Sequence, residues 1–233
     1  MRLALACLTS PKGDVDGNVE RHLALLAEHR DCDLVLFPEL SLTGYAPDCP
    51  LDLDAPAVRA VVAATADGPA AAFGVVEPAR TVVHVVASGG EVVLVQRKAF
   101  LGEDEEDVFV PGPPVRATAE IAGGRVAVAI CAEIHRAAPF AVPVDVVLCA
   151  AAPGLYGRRL DEAGWRDGFD WWRGAAGADL ATRGVWCALA TATGATVDED
   201  FPGWGALVSP AGDVVAETTD WTEQVLVVDV SCG

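Results

Sequence analysis

Several stretches of this sequence are apolar at nearly every position over the length of a strand. Clear cases are RLALACL (residues 2–8), TVVHVVAS (81–88) and VDVVLCAAA (144–152). A strand that has no polar face must be covered on both sides, so these runs predict sheets buried between other layers. Segments with apolar residues at helical spacing lie between them, as in GNVERHLALLAEHRDC (17–32). The sequence therefore predicts an α/β fold whose sheets are covered by helices.

Apolar runs and turn signals together predict the order of the elements. Strands are predicted at 2–8, 33–38, 69–77, 81–88, 91–97, 123–131, 144–152, 185–192, 203–209, 213–218 and 223–230. Helices are predicted at 17–32, 53–66 and 161–184. The turn sequences SGG (88–90) and PAGD (210–213) are expected to close hairpins. A chain of 233 residues is long enough for one large α/β domain and too short for two such domains, so we expect a single domain over 1–233.

The net charge argues against two classes of partner. Thirty-four acidic residues stand against 16 lysines and arginines, which gives a formal net charge of -18. Such a chain repels the phosphate backbone of nucleic acid and an anionic membrane surface alike, so neither is expected as a partner. The first apolar run, MRLALACL, is too short for a secretory signal or a membrane span. We therefore expect a cytoplasmic protein.

The seven cysteines indicate a reducing compartment. Their number is odd, none forms a CxxC pair, and most lie in apolar strand-like runs. This usage is typical of free thiols and predicts neither a disulfide framework nor a zinc site. Cys7, Cys149 and Cys187 have no charged neighbour in sequence and are expected to be buried structural thiols. The glycine-rich segments contain no phosphate-binding fingerprint, so no cofactor is expected.

Three apolar runs end in an ionisable residue. DLVLFPELSLTGY has Glu39, EVVLVQRKAFL has Lys98, and VAVAICAEI has Cys131. Strand ends are where α/β proteins commonly hold their reactive groups, because the sheet is rigid and the loops are free to vary. The three positions therefore supply a carboxylate, a cation and a thiol to one candidate site.

These three groups are sufficient for acyl transfer. A cysteine attacks as the thiolate, so it needs a neighbour that takes its proton, and a carboxylate in a desolvated pocket can do this. Attack on an amide carbonyl creates an oxyanion, which an ammonium group and a backbone N–H stabilise. We expect Glu39 to be the general base, Lys98 the electrostatic stabiliser and Cys131 the nucleophile.

The residues around these positions resemble the nitrilase or carbon-nitrogen hydrolase superfamily. FPELSLTGY resembles its glutamate motif, RKAFLGEDEEDVFVPG its lysine motif, and VAVAICAEI its nucleophile motif. The order of the three matches, and WGALVSPAGDVVAET is similar to the late strand, turn and strand of the family. As an ordered set that reaches from the first strand to the last, these motifs are specific.

The resemblance implies a four-layer α-β-β-α sandwich of the nitrilase type and hydrolysis of a non-peptide C–N bond without a metal. It gives Glu39, Lys98 and Cys131 the roles argued above and makes the backbone N–H of Ala132 the second oxyanion donor. It also implies a second glutamate after the lysine, and GEDEED offers several. Distance to Phe109 favours Glu105, whereas distance from Lys98 slightly favours Glu106. We predict Glu105.

Further residues are candidates for the substrate pocket or for other roles. The pocket candidates are Tyr45, Glu133, Tyr156 and Trp204. Glu133 also has a structural alternative, contact with the backbone behind the nucleophile. His135 lies four residues after Cys131 and allows a Cys-His dyad as a rival mechanism. Glu133 with His135 makes only two metal ligands, so no metal site is predicted.

The expected activity is that of a thiol amidohydrolase acting on a small amide. FPELSLTGYAPD is especially similar to the glutaminase-type amidase domains of NAD synthetases, but a free-standing amidase fits this chain better. Nitrilase, N-carbamoyl hydrolase and acyltransferase activities use the same three groups and stay open, as does a binding protein without turnover. The chain ends soon after its last strand, so a homodimer is expected rather than the large spirals that some family members form.

Overall fold

The computed structural model describes residues 1–136, 143–154, 162–195, 200–218 and 222–232. Its strands and helices follow the chain in this order: β1 (Arg2–Cys7), α1 (Val15–Glu28), β2 (Leu34–Leu36), α2 (Pro56–Ala64), β3 (Ala70–Val76), β4 (Val82–Ser88), β5 (Glu91–Arg97), β6 (Thr118–Ile121), β7 (Gly124–Ile130), β8 (Val146–Ala151), α3 (Glu162–Leu180), β9 (Trp186–Thr191), β10 (Thr193–Ala195), β11 (Asp200–Pro202), β12 (Ala206–Val208), β13 (Val214–Glu217) and β14 (Gln224–Asp229). Two short 3₁₀ helices, Glu103–Glu105 and Cys131–His135, follow β5 and β7.

The strands form two large sheets of similar design. One has the order β14-β1-β2-β3-β4-β5 and the other the order β13-β12-β9-β8-β7-β6, while β10 and β11 pair separately. In each large sheet the three central strands are parallel and the outer strands are antiparallel to their neighbours. The loops after parallel strands leave a sheet on the same side, so both sheets can direct several loops to one region.

Three apolar clusters fix the order of the layers. The largest joins the facing sides of the two sheets, for example Leu5 and Leu36 with Val128 and Leu148. A second cluster packs α1 and α2 against the outer face of the first sheet. A third packs α3 against the outer face of the second sheet. The result is the predicted α-β-β-α sandwich, and burial on both faces explains why the central strands carry almost no polar residues.

Most of the predicted elements are confirmed, but three short strands were missed. The SGG turn joins β4 to β5 with both of its glycines at positive φ, 62° and 82°, and the PAGD turn joins β12 to β13. The strands β6, β10 and β11 were not predicted from the sequence. Each is three or four residues long, too short for a strand periodicity to be recognised in the sequence.

Two buried histidines make the stability depend on pH. Burial lowers the pKa of His22 from 6.5 to about 4 and that of His84 from 6.5 to about 3. Because the unfolded chain takes up these protons below about pH 6.5 and the folded protein resists them, this stability is present above that pH and is lost as the pH falls. Each histidine is expected to remove about 2 kcal/mol of unfolding free energy between pH 7 and pH 5.

The variant His84→Leu isolates one of these contributions. Urea unfolding of wild type and variant at pH 7 and at pH 5 should show the variant gaining about 2 kcal/mol relative to wild type at the lower pH. A difference between the two proteins that is the same at both pH values would mean that His84 accepts a proton in the folded state as easily as in the unfolded chain.

Candidate active site

The loops after β2, β5 and β7 bring Glu39, Lys98 and Cys131 together between the two sheets. The Lys98 Nζ donates to Glu39 Oε1 at 2.6 Å and to Glu105 Oε1 at 2.7 Å. The exposed fractions of these residues are 0% for Lys98, 2% for Glu39 and 7% for Glu105. A lysine therefore lies between two carboxylates in a site that excludes bulk water, where each charge interacts strongly with the others.

Glu105, and not its neighbour Glu106, is the second carboxylate of this group. Glu105 ends the 3₁₀ helix after β5, and its Oε2 accepts from the backbone N–H of Gly102 at 2.6 Å. The Tyr45 hydroxyl donates to Oε1 at 2.5 Å. Glu106 is exposed. Glu105, predicted from the sequence as the second glutamate, thus lies in contact with Lys98.

Cys131 has an unusual backbone conformation. It directly follows β7, begins a 3₁₀ helix, and has a φ of 43°, in the left-handed region that a residue other than glycine rarely adopts. The residue is partly exposed. The thiol interacts electrostatically with the Glu39 carboxylate, which raises the thiol pKa, and with the backbone N–H of Ala152, which lowers it. Strained conformations of this kind persist where the surrounding structure fixes them, commonly at functional sites.

The charges favour a neutral thiol beside a basic carboxylate. Burial raises the pKa of Glu39 to about 7, although Lys98 acts in the opposite direction. Burial also raises the pKa of the Cys131 thiol well above its ordinary value, with the Glu39 carboxylate adding to the effect. The Lys98 pKa is raised because the neighbouring acidic groups outweigh the effect of burial, so the ammonium keeps its proton. Glu39 is therefore poised near neutral pH to take the thiol proton.

The loop that carries Glu39 contacts residues of β3 and α1. Leu40 has a φ of 52°, and a Cβ on Gly74 would lie 2.2 Å from the Leu40 nitrogen, so only glycine allows this close approach. The Ser41 hydroxyl accepts from the Gly74 N–H at 3.2 Å and contacts His22 Nε2 at 3.0 Å. These contacts fix the direction in which Glu39 leaves its strand.

The remaining sequence candidates have different positions. Tyr45 contacts Glu105 and belongs to the buried group. The Glu133 carboxylate is bound by backbone N–H groups behind Cys131, which is the structural alternative considered from the sequence. Ala132 lies in the first turn of the 3₁₀ helix, where backbone N–H groups have no partner inside the helix.

Trp204 is not brought to Glu39, Lys98 and Cys131. Trp204 is 1% exposed and lies beneath α3, where it packs edge-on against Trp172 at 5.9 Å and donates from Nε1 to Glu217 at 3.0 Å. Its place in a loop between strands suggested an accessible pocket residue, but the loop turns into the core. Tyr156 lies outside the described residues. His135 contacts Asp179 through Nδ1 at 2.6 Å, on the outside of the molecule.

Two contributors to the site were not predicted. The N–H of Ala152 donates to Glu39 Oε2 at 3.1 Å, because β8 runs parallel to β7 and ends beside it. The Arg116 side chain is 6% exposed and contacts Glu133. Neither position stands out in the sequence, since one is an alanine and the other an arginine in a polar loop. Only the fold shows that they reach this region.

The pKa of Glu39 predicts how the reactivity of Cys131 varies with pH. Protonation of Glu39 removes the base, so alkylation by iodoacetamide should rise from pH 5 to pH 8 with a midpoint near 7, the value to which burial raises this pKa. The variant Glu39→Gln should lose this rise. The second-order rate, measured by intact-protein mass at each pH, checks both statements. A wild-type profile that rises only near pH 9 would indicate an unassisted thiol.

The described parts of the chain show no candidate metal site. They contain no group of three or more His, Cys, Asp or Glu residues that could hold a metal ion. None of the helices described is long and apolar enough to cross a membrane. A cavity of about 340 Å³ lies beside the end of β5 and is lined by Ala99, Phe100, Leu101, Glu106, Pro111 and Arg136.

Solved structures share this architecture. A superfamily protein from Xanthomonas campestris, XC1258, which carries an arsenic adduct in its active site, superposes with a TM-score of 0.83 over 99% of this chain and 90% of its own, at 20% identity. A mutant of the amidase from Nesterenkonia sp. AN1, in which acrylamide has added to the active-site cysteine, gives 0.78 over 99% and 93%, at 23% identity. At these identities the likeness establishes the fold.

Sequence comparison identifies the family. The glutamine-dependent NAD(+) synthetase of Xylella fastidiosa is 32% identical over 174 residues, which are 65% of this chain and 30% of the synthetase. The chain thus matches less than a third of that relative's length. The family model for carbon-nitrogen hydrolases matches residues 2–233. The chain belongs to the carbon-nitrogen hydrolase family.

Proposed function

We propose that the protein is a thiol amidohydrolase that cleaves the C–N bond of a small amide through a thioester on Cys131. The observation that carries this proposal is the Lys98 ammonium, buried between two carboxylates and close enough to the Cys131 thiol for the two groups to interact electrostatically. Base, cation and nucleophile are then within reach of one carbonyl group. A buried structural cysteine has no need of such surroundings.

The first half of the reaction forms the thioester. Glu39 takes the thiol proton while the sulfur attacks the amide carbon, and the carbonyl oxygen becomes an oxyanion. An ammonium group has three N–H donors, and Lys98 uses two on carboxylates, which leaves one for the oxyanion. The backbone N–H of Ala132 is the second donor. Glu39 then gives its proton to the nitrogen, the C–N bond breaks, and ammonia or an amine leaves.

The second half releases the acid. Glu39, again a carboxylate, takes a proton from water, and the resulting hydroxide attacks the thioester carbon. The same two donors stabilise the second oxyanion. When the C–S bond breaks, the proton returns to sulfur, which restores the starting state. Glu105 accepts hydrogen bonds from Lys98 and Tyr45 throughout, which keeps the ammonium charged and oriented.

The similar proteins support an amide as substrate. One similar structure is that of an amidase, and the curated relatives are named for their dependence on glutamine, itself an amide. Nitriles, N-carbamoyl compounds and acyl transfer to an amine use the same nucleophile and are the alternatives that the test must separate.

A substrate panel tests the proposal. Purified protein should release ammonia from small aliphatic amides or from glutamine, and more slowly or not at all from nitriles and N-carbamoyl compounds. Hydroxylamine added to the assay distinguishes transfer, because an acyltransferase forms the hydroxamate faster than the acid. If no compound releases ammonia and iodoacetamide leaves Cys131 unmodified at neutral pH, the protein binds a ligand without turnover and the proposal is wrong.

A further inference from the structure

A single buried carboxylate links the backbones of the nucleophile and the lysine. Glu133 is 1% exposed. Its Oε1 accepts from the backbone N–H of Ala99 at 2.8 Å, and its Oε2 accepts from that of Ile130 at 3.0 Å. Ala99 directly follows Lys98, and Ile130 directly precedes Cys131. Because β5 and β7 belong to different sheets, Glu133 joins the two halves of the sandwich at the point where their reactive groups meet.

Arg116 provides the counter-charge for this carboxylate. Its Nη1 donates to Glu133 Oε2 at 3.3 Å and to the carbonyl of Val128 at 2.9 Å, and the side chain is 6% exposed. A buried carboxylate without a cation is costly, so this contact offsets part of the cost of burying Glu133. The buried Gln96 fixes the backbone on both sides of Arg116, since it donates to Val115 O at 3.1 Å and accepts from Ala117 N at 3.3 Å.

A second arginine holds the other side of the same turn. The Arg183 guanidinium donates to the carbonyls of Glu133 at 3.2 Å and of Arg136 at 2.9 Å, and also to that of Ile134. These carbonyls belong to the end of the 3₁₀ helix that Cys131 begins. The left-handed φ of Cys131 is therefore held from both ends of the turn, by Glu133 on the N–H side and Arg183 on the carbonyl side.

We propose that Glu133 is a positioning residue that fixes the Cys131 sulfur relative to the Lys98 ammonium, with Arg116 as its counter-ion. This proposal rests on the proposed function, since it assigns the contact a role in thioester formation. The distance between sulfur and ammonium determines whether the oxyanion forms next to Lys98, and a shift of about 1 Å in such a geometry costs about 10²-fold in rate.

The arrangement requires a carboxylate at this position. In the described part of the chain, the hydrogen-bond partners of the Glu133 carboxylate are donors: two backbone N–H groups and a guanidinium. Glutamine has the same shape but presents one oxygen and one NH₂ group, so at least one of those donors would face another donor. The variant Glu133→Gln should therefore release either Ala99 or Ile130 while it leaves Glu39, Lys98, Glu105 and Cys131 unchanged.

The test compares Glu133→Gln, Glu133→Asp and the control Glu120→Gln with wild type. Glu120 forms an exposed ion pair with Arg125 on the β6–β7 hairpin, away from the turn. We expect kcat of Glu133→Gln to fall about 10²-fold with KM changed less than about threefold, because geometry is lost and substrate contacts are kept. Alkylation of Cys131 by iodoacetamide should slow as well. Glu133→Asp should retain more activity than Glu133→Gln, and Glu120→Gln should match wild type.

The outcomes separate this proposal from the proposed function. Suppose that Cys131 of wild type is alkylated rapidly and that wild type turns over amides. If Glu133→Gln is folded by circular dichroism and matches wild type in kcat and in the rate of alkylation, Glu133 has no positioning role. If wild type itself shows neither amide turnover nor rapid alkylation of Cys131, the proposed function is wrong, whatever Glu133→Gln does. If Glu133→Gln does not fold, the comparison passes to Glu133→Asp, where a fall in kcat at constant KM supports the proposal and an unchanged kcat contradicts it.

Discussion

The variant Cys131→Ala is expected to lose amide hydrolysis by at least about 10⁴-fold, because no other group can form the acyl intermediate. Folding should be preserved, since alanine is smaller than cysteine and fits in the same turn. Steady-state ammonia release and the thermal unfolding midpoint of the purified variant check both expectations. The residual rate should also be independent of the ionisation of Glu39, whose base function needs the thiol.

Other cysteines serve as matched controls for this prediction. Cys49 is partly exposed, and Cys149 is fully buried among the residues that pack against α3. Cys49→Ala should retain wild-type turnover, and Cys149→Ala should lose stability but keep its activity while folded. Loss of activity in Cys49→Ala together with retention in Cys131→Ala would place the reactive thiol elsewhere and refute the assignment.

The variant Lys98→Met is expected to lose activity by about 10³-fold or more and to be less stable by about 3–5 kcal/mol. Removal of the ammonium leaves Glu39 and Glu105 facing each other in a buried site without a cation, which is the costly case for a broken buried ion pair. It also removes the electrostatic stabiliser of the oxyanion. The Glu39 pKa should rise further, because Lys98 is the neighbour that lowers it.

The adjacent Arg97 provides the control. Its guanidinium pairs with Glu77 at 2.6 Å near the surface, so Arg97→Met removes a cation one residue away without touching the site. Its stability should change by less than about 1 kcal/mol, as is usual for partly exposed ion pairs, and its kcat should be unaffected. Urea unfolding and amide turnover measured on both variants give the comparison. Equal stability losses in Lys98→Met and Arg97→Met would contradict the buried-pair argument.

The architecture could be predicted from the sequence because its signals are local. Central strands such as β1 and β8 are apolar on both faces, and the helices show their spacing over two or more turns. Glu39 and Cys131 come at the ends of apolar runs, and Lys98 follows one after Gln96 and Arg97, so their position at strand ends is also local information. The choice of Glu105 over Glu106 depended on distance to Phe109 in the chain and needed no tertiary contact.

What the sequence could not predict depends on contacts between distant segments. Lys98 donates a hydrogen bond to Glu39, which lies 59 positions away in the sequence, and Ala152 donates one to Glu39 from 113 positions away. The periodicity of apolar residues carries no information about contacts between such distant positions. Trp204 was expected near the substrate because its loop position resembled an accessible one, whereas it is buried and packs on Trp172, a contact that depends on the placement of α3. The link from Glu133 to Arg116 is likewise visible only when both sheets are assembled.

Trapping of the acyl intermediate tests the central claim most directly. Wild-type protein mixed with excess amide, quenched in acid during turnover and analysed by intact mass and peptide mapping should carry the mass of the acyl group on the peptide that contains Cys131. The adduct should disappear when substrate is exhausted and should be absent from Cys131→Ala. Ammonia release without any acyl adduct, at the same rate in wild type and in Cys131→Ala, would contradict the account.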